Sequence, residues 1–278
     1  MTRITCVVDN SVRLGHPLWG EHGLSFCVEV GGSSVLFDTG RGGTVLLHNL
    51  ERMKISPRDF AALAISHGHY DHTGGLAAFL KASPGIPLFA HPDVFRERFT
   101  RHSKKGYEPI GPPIRREEVA KKAELKLSAE PTEMFPGLWT TGEIASRPEP
   151  EGRSPHHVVR EGEDWLPDPY RDDMALVLET KAGLVVVCGC CHAGLLNTLA
   201  HVRRVFGEKI AAVVGGLHLA RSSAPQLQHV AAALRDLYEV PRLCVNHCTG
   251  EEAFIALRQA LGSQVVLCPA GTHLTFSM

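Results

Sequence analysis

The stretch Ser66-His67-Gly68-His69-Tyr70-Asp71-His72-Thr73-Gly74-Gly75 holds three imidazoles and a carboxylate within one short loop. It follows the apolar run Ala61–Ile65, which reads as a buried strand. Such groups cost free energy when buried without partners. A divalent cation removes that cost, because imidazole and carboxylate are natural ligands for zinc-class ions. Such an ion lowers the pKa of water from about 15.7 to about 7, so a nucleophile exists at neutral pH. The spacing therefore points to metal-assisted displacement rather than to packing. Other polar groups also follow apolar runs: Asp38, Cys190 with His192, His218 and His247. In α/β proteins ligands collect at the carboxyl ends of strands. These groups therefore read as one composite site.

The elements that position them alternate strand and helix. Ile4–Val8, Leu24–Val30 and Ser34–Phe37 are rich in β-formers, and Gly31-Gly32-Ser33 is a hairpin-type turn signal. Leu46, Leu47, Leu50 and Met53 recur at helical spacing, as do Leu76, Ala77, Phe79 and Leu80 before Pro84. Pro87–Ala90 reads as a short strand ending at His91. The second half repeats the rhythm. Strands are expected at Leu184–Cys188, Ile210–Val214 and Leu243–Asn246, and helices along Leu195–Phe206 and Leu227–Tyr238. Thr249 with Glu252 reads as a capping box opening a helix over 250–261. Val265–Leu267 and His273–Phe276 are expected to close the sheet. Residues 92–135 and 146–172 are polar and proline-containing, and read as a lid-like insert and a long loop. The expected architecture is α/β: one domain over 1–278, two αβ halves packed sheet to sheet.

Bulk properties bound the function. The chain has 278 residues, enough for a sizeable core, with 44% hydrophobic and 21% charged residues, as in ordinary soluble domains. A net charge of −1 gives no global attraction to nucleic acid or an anionic membrane. No apolar run is long enough to span a bilayer, and the N-terminus lacks a signal-peptide core, so a cytoplasmic location is expected. Most of the eight cysteines, among them Cys6, Cys27, Cys244 and Cys268, sit in apolar runs and read as buried small hydrophobes. Sixteen histidines are many for this length and favour metal chemistry. Oligomeric state is not legible.

His67-x-His69-x-Asp71-His72, preceded by Asp38-Thr39-Gly40, resembles the metallo-β-lactamase superfamily. The resemblance implies an αβ/βα four-layer sandwich of two mixed β-sheets flanked by helices, with one or two metal ions at its edge. Zinc is the expected ion, with manganese or iron as alternatives. His67 and His69 would bind a first metal. Asp71, His72 and His247 would bind a second, and Asp38 would orient the site. Two positions depart from the pattern. Glu143, in Thr141-Gly142-Glu143-Ile144, stands where the first metal's third histidine is expected. Cys190, after Gly189, stands where a bridging aspartate is usual, and His192 close by is a candidate ligand.

A narrower resemblance covers almost the whole chain. Glu21-His22-Gly23-Leu24-Ser25, Asp172-Asp173-x-Ala175-Leu176, Cys188-Gly-Cys-Cys-His192-Ala-Gly194, Gly215-Gly216-Leu217-His218-Leu219 and His247-Cys248-Thr249-Gly250 carry it. They are similar to the branch named after a dihydropterin-condensing enzyme. That enzyme joins a pterin pyrophosphate to a ribofuranosyl-aminobenzene phosphate and releases pyrophosphate. Many members of the branch are named only as metal-dependent hydrolases. The resemblance thus implies the site and leaves the substrate open. The leading expectation is a metal-dependent hydrolase acting on a small anionic ester or phosphoester. A pterin-condensing transferase is the alternative. Asp71, Asp38, Glu143 and His218 are candidate catalytic groups. His22, Cys190, and Arg96 and Arg98 of the basic run ending at Lys105, which reads as a helix face, are candidate substrate contacts. A thiol-based redox or sensing module is a third reading, from the spacings Cys188-x-x-Cys191 and Cys244-x3-Cys248.

Overall fold

The computed structural model describes residues 2–150 and 152–278. β-Branched and aliphatic runs build two seven-stranded sheets. The first orders its strands His273–Phe276, Thr2–Val8, Ser25–Val30, Ser33–Phe37, Ala62–Ala64, Ile86–Ala90 and Ala123–Leu127. The second runs Val265–Leu267, Leu243–Asn246, Ile210–Gly216, Gly183–Cys188, Ala175–Thr180, Leu138–Thr140 and Thr132–Phe135. Each mixes parallel and antiparallel pairs.

Side-chain alternation explains the layering. Val185 and Val187 face the other sheet and pack with Phe26, Phe37 and Ala64. Val186 and Cys188, on the opposite face of that strand, pack with Leu195, Leu199 and Leu257 of the helices Leu195–Phe206 and Glu251–Leu261. Leu36 and Leu63 of the first sheet likewise meet Leu46, Leu50, Phe79 and Leu80 of the helices Gly43–Arg52 and Leu76–Ala82. The result is helix, sheet, sheet, helix, the expected αβ/βα sandwich. Each fully buried Val, Leu or Phe contributes about 1.5–3 kcal/mol.

Several local expectations change. Gly31 and Gly32 do form the hairpin turn, both at positive φ (57° and 88°), which glycine adopts without strain. The helix Glu251–Leu261 is not opened by a capping box, because Thr249 Oγ1 instead accepts from Leu217 N at 3.2 Å. His273–Phe276 pairs with Thr2–Val8 in the first sheet, not with its sequence neighbour Val265–Leu267. The polar segments read as lid and loop contain six strands among the described residues. Asp164–Pro167, His157–Glu161, Arg98–His102 and Gly106–Pro109 form a separate four-stranded sheet. Ala123–Leu127 and Thr132–Phe135, at the end of the same stretch, edge the two main sheets. Arg98 to His102 therefore lie on a strand, not on a helix face.

Candidate metal centre

The candidate ligands converge from strand ends of both sheets. Ser33–Phe37 delivers Asp38, and Ala62–Ala64 delivers the loop from Ser66 to His72. Gly183–Cys188 delivers Cys190 and His192, Ile210–Gly216 delivers His218, and Leu243–Asn246 delivers His247. Four non-glycine residues at these ends hold positive φ: Asp38 (61°), Cys191 (57°), His218 (50°) and His247 (49°). Each such conformation costs of order 1–3 kcal/mol and persists where surrounding structure enforces it, typically at functional sites.

Asp38 organises the loop. Its Oδ1 accepts from Ser66 N at 2.7 Å, and its Oδ2 accepts from Ser66 Oγ at 2.7 Å and His72 Nδ1 at 2.6 Å. Because the Ser66 hydroxyl proton goes to Asp38, its oxygen is left to accept from His67 Nδ1 at 2.9 Å. His192 Nδ1 donates to Gly152 O at 2.8 Å, and His247 Nδ1 to Asn10 Oδ1 at 3.0 Å. Four imidazoles thus have Nδ1 fixed by a protein acceptor, while their Nε2 atoms have no hydrogen-bond partner (His192, His247) or face His69 Nδ1 at 3.0 Å (His67) or Cys190 Sγ at 3.2 Å (His72). Fixing one nitrogen sets the tautomer of a metal-binding histidine.

The free donors fall into groups. His67, His69 and His192 bring theirs within 4.8 Å of one another, and so do His67, His72 and Cys190. His22, Asp71 and His247 form another such group. Asp71 Oδ2 lies 3.3 Å from His247 Nε2, 3.3 Å from His22 Nε2 and 3.7 Å from His72 Nε2. His69 Nε2, His192 Nε2 and His247 Nε2 are buried without a hydrogen-bond partner. Unpaired buried nitrogens beside a carboxylate are what a divalent cation would satisfy. The donor set fits imidazole- and carboxylate-binding ions.

Electrostatics agree. Burial pushes the His67, His69 and His192 imidazoles well below their ordinary pKa, so they are neutral and able to ligate at pH 7. Burial works against a charged Asp71, yet His72, His247 and His69 together hold its carboxyl below the usual range. Burial likewise opposes a charged His72, but Asp38 and Asp71 carry it up to about 9. That proton occupies the place a second cation would take.

A family model described as the metallo-beta-lactamase superfamily matches residues 18–175. The chain belongs to the metallo-β-lactamase superfamily. A curated relative, the 7,8-dihydropterin-6-methyl-4-(beta-D-ribofuranosyl)-aminobenzene-5'-phosphate synthase of Methanocaldococcus jannaschii, is 30% identical, covering 90% of this chain and 88% of its own. An uncharacterized protein of the same organism is 27% identical over 92% of this chain and 94% of its own. The crystal structure of Tm1679, a metal-dependent hydrolase of the beta-lactamase superfamily, superposes with a TM-score of 0.86 at 30% identity, covering all of both chains. Metallo-β-lactamase folds generally bind divalent metals, and the groups above are this chain's candidates for holding them.

Within this superfamily member the expected residues divide. His67, His69, Asp71, His72, His192, His247, Cys190, His22 and His218 gather in or against one cleft; the His218 and His192 ring centroids are 4.3 Å apart. Three expected residues stand elsewhere. Glu143 lies 3.6 Å from His91 Nε2, and His192 takes the place beside His67 and His69 that Glu143 was expected to fill. Arg98 is buried, its Nε donating to Asp168 at 3.0 Å and its Nη2 to Asp172 at 2.6 Å, so it cannot clamp a substrate. Arg96 pairs with Asp93 and Glu161. Of the cysteines in the proposed redox spacings, Cys188 and Cys191 belong to the outer core and Cys244 to the core between the sheets.

Sequence reasoning missed His157, Tyr170 and Asn10 as parts of the site, and named Asp172 and Cys248 only within motifs and a cysteine spacing. Tyr170 stacks on His192 at 4.4 Å between ring centroids, and its hydroxyl lies 2.9 Å from His157 Nδ1. Burial lowers His157 to about 4, so it is neutral at pH 7. Asp172 Oδ2 accepts from Gly68 N at 2.7 Å, which ties the histidine loop to Arg98. The Asp172-Asp173 pair and the His156-His157 pair were the available signals.

Proposed function

We propose that the protein is a metal-dependent hydrolase of a small anionic ester or phosphoester. The observation that carries this reading is the set of bare imidazole nitrogens and the Asp71 carboxylate turned on one cleft. The cavity there is about 240 Å³, lined by His22, Tyr70, Asp71, Thr100, His157 and His192 among others. That is below the roughly 300–1,000 Å³ usual for drug-sized ligands, and suits one small substrate. Among the described residues lining it, none is lysine or arginine, so the basic run does not neutralise the substrate. Bound divalent ions would supply Lewis acidity and lower the pKa of water. His67, His69 and His192 would hold one; His72, Asp71 and His247 would hold the other.

The remaining work falls to the chain itself. Asp38 keeps His72 and, through Ser66, His67 in the ligating tautomer. Asp71, ionised, balances cationic charge. His157 is a neutral imidazole on the cavity wall and can take up or give a proton beside the substrate. Thr100, Ile110 and His157, from the small sheet and the segment beside it, line the cleft opposite the strand ends of the main sheets.

A pterin-condensing transferase is the second reading. It is favoured by the 30% identity to the synthase and by a larger cavity of about 570 Å³, which shares His247 and is lined by Phe254, Ile255 and Pro269, able to take a ring system. Purified protein is assayed for bound metal, then for turnover of phosphomonoesters, phosphodiesters and thioesters with and without chelator. Chelator-sensitive turnover of one ester class supports hydrolysis. Pyrophosphate release that requires an aminobenzene-type second substrate shifts the reading to the transferase. Metal-loaded protein inert in both assays overturns both.

A further inference from the structure

We infer that Cys190, His218 and Cys248 form an additional, thiolate-bearing metal position on the wall of the histidine cleft, selective for thiophilic ions. Their ligand atoms lie within 4.8 Å of one another, and all three residues line the same cavity. Three separate strand ends supply them, so their meeting is a product of the fold, not of a local sequence run.

The surroundings are shaped to bring the sulfurs in. A Cβ on Gly216 would stand 2.7 Å from Cys248 Sγ, so glycine there makes room for the thiol. His218 N donates to Cys248 Sγ at 3.2 Å, as backbone amides do toward ligating thiolates. His218 Nδ1 is buried and has no hydrogen-bond partner. Cys190 Sγ also lies 3.2 Å from His72 Nε2, so this sulfur faces both the histidine centre and the new position. Two thiols and an imidazole favour Zn²⁺ or Co²⁺ over Mg²⁺ or Mn²⁺. Three protein ligands with a fourth place open to the cavity match the ligand number of exchangeable rather than structural zinc sites. On binding, each thiol gives up its proton to solvent and its sulfur donates a lone pair to the ion.

The inference rests on the metal-dependent reading of the cleft, and the test separates the two. The full chain is stripped of metal under reducing conditions and titrated with Co²⁺, following the thiolate-to-cobalt charge-transfer band and the ions bound per chain. We expect a strong band that Cys248→Ser roughly halves and that His218→Gln shifts, with fewer ions held by each variant. Circular dichroism of the metal-free variants checks that they fold. Binding without a charge-transfer band, or a band and stoichiometry unchanged in both folded variants, overturns this inference and leaves the histidine centre standing. A disulfide joining Cys190 and Cys248 in metal-loaded protein also overturns it. Failure to bind cobalt at all sinks the metal reading itself.

Discussion

Four histidines of the cleft each spend one ring nitrogen on a protein acceptor, and this makes Asp38 the residue with the widest reach. Through Oδ2 it holds His72 directly and His67 by way of Ser66. Asp38→Asn keeps the shape but places an amide where a double acceptor is needed, so the tautomers are no longer enforced. Loss of such an outer partner typically lowers metal affinity about 10–100-fold; competition against a chromogenic chelator measures it. Unchanged affinity would mean the ring orientations are set by packing alone. Glu143 gives the opposite expectation. Its partner is His91, and it is absent from the described residues lining the metal cavity. Glu143→Gln should therefore leave the metal content of the protein intact, whereas His192→Ala should remove an ion, both read by elemental analysis. Metal loss in Glu143→Gln would return that glutamate to the centre.

At the scale of elements, the buried Arg98 bridges the small sheet to the histidine loop. Its guanidinium sits between Asp168 and Asp172, and Asp172 in turn accepts from Gly68 N. Arg98→Met leaves two carboxylates buried without their cation. Breaking such a network by removing one partner costs about 3–5 kcal/mol, which urea unfolding would detect; a change under about 1 kcal/mol, typical of exposed pairs, would show that solvent reaches the site. This bridge also shows where sequence reading stops. The strands and the loop from His67 to His72 were legible because apolar alternation and ligand spacing are local signals. The role of Arg98 was not, because a basic run looks the same whether it faces solvent or a carboxylate seventy-four residues away. The small sheet was hidden for a related reason: its strands Gly106–Pro109 and Asp164–Pro167 are only four residues long and largely exposed, so they carry no alternating apolar pattern. Glu143 misled because its place in the chain matched a family pattern, while His192 fills the position from another strand end.

At the scale of the whole molecule, the sandwich encloses neutral imidazoles, and stability should depend on pH through them. The sign follows from comparing folded and unfolded states. An unfolded histidine takes a proton near pH 6.5. Burial pushes His67, His69 and His192 well below that, and His157 down to about 4. Below about pH 6.5 the unfolded chain therefore binds more protons, and the stability present above that pH is lost as pH falls through the folded values. Asp172 and Asp173 act in the other direction: burial raises each to about 6, so each favours the folded state on the acidic side. Histidines lowered by burial, eight with His22, His91, His201 and His273, outnumber the raised His72, His218, Glu21, Asp172 and Asp173, which leaves a net loss on acidification. Metal-free protein should show a falling Tm from about pH 7 to about pH 4.5. Metal-loaded protein should be more stable at pH 7, by about 4 kcal/mol at an ion concentration of about 1,000 Kd, and its Tm should fall more steeply, because protons compete with the ion for the same nitrogens. Thermal unfolding across this range, with chelator and with zinc, tests both slopes. A flat metal-free profile would show that the cleft admits enough water to hold its imidazoles charged, and parallel profiles with and without zinc would show that the ion does not bind through them.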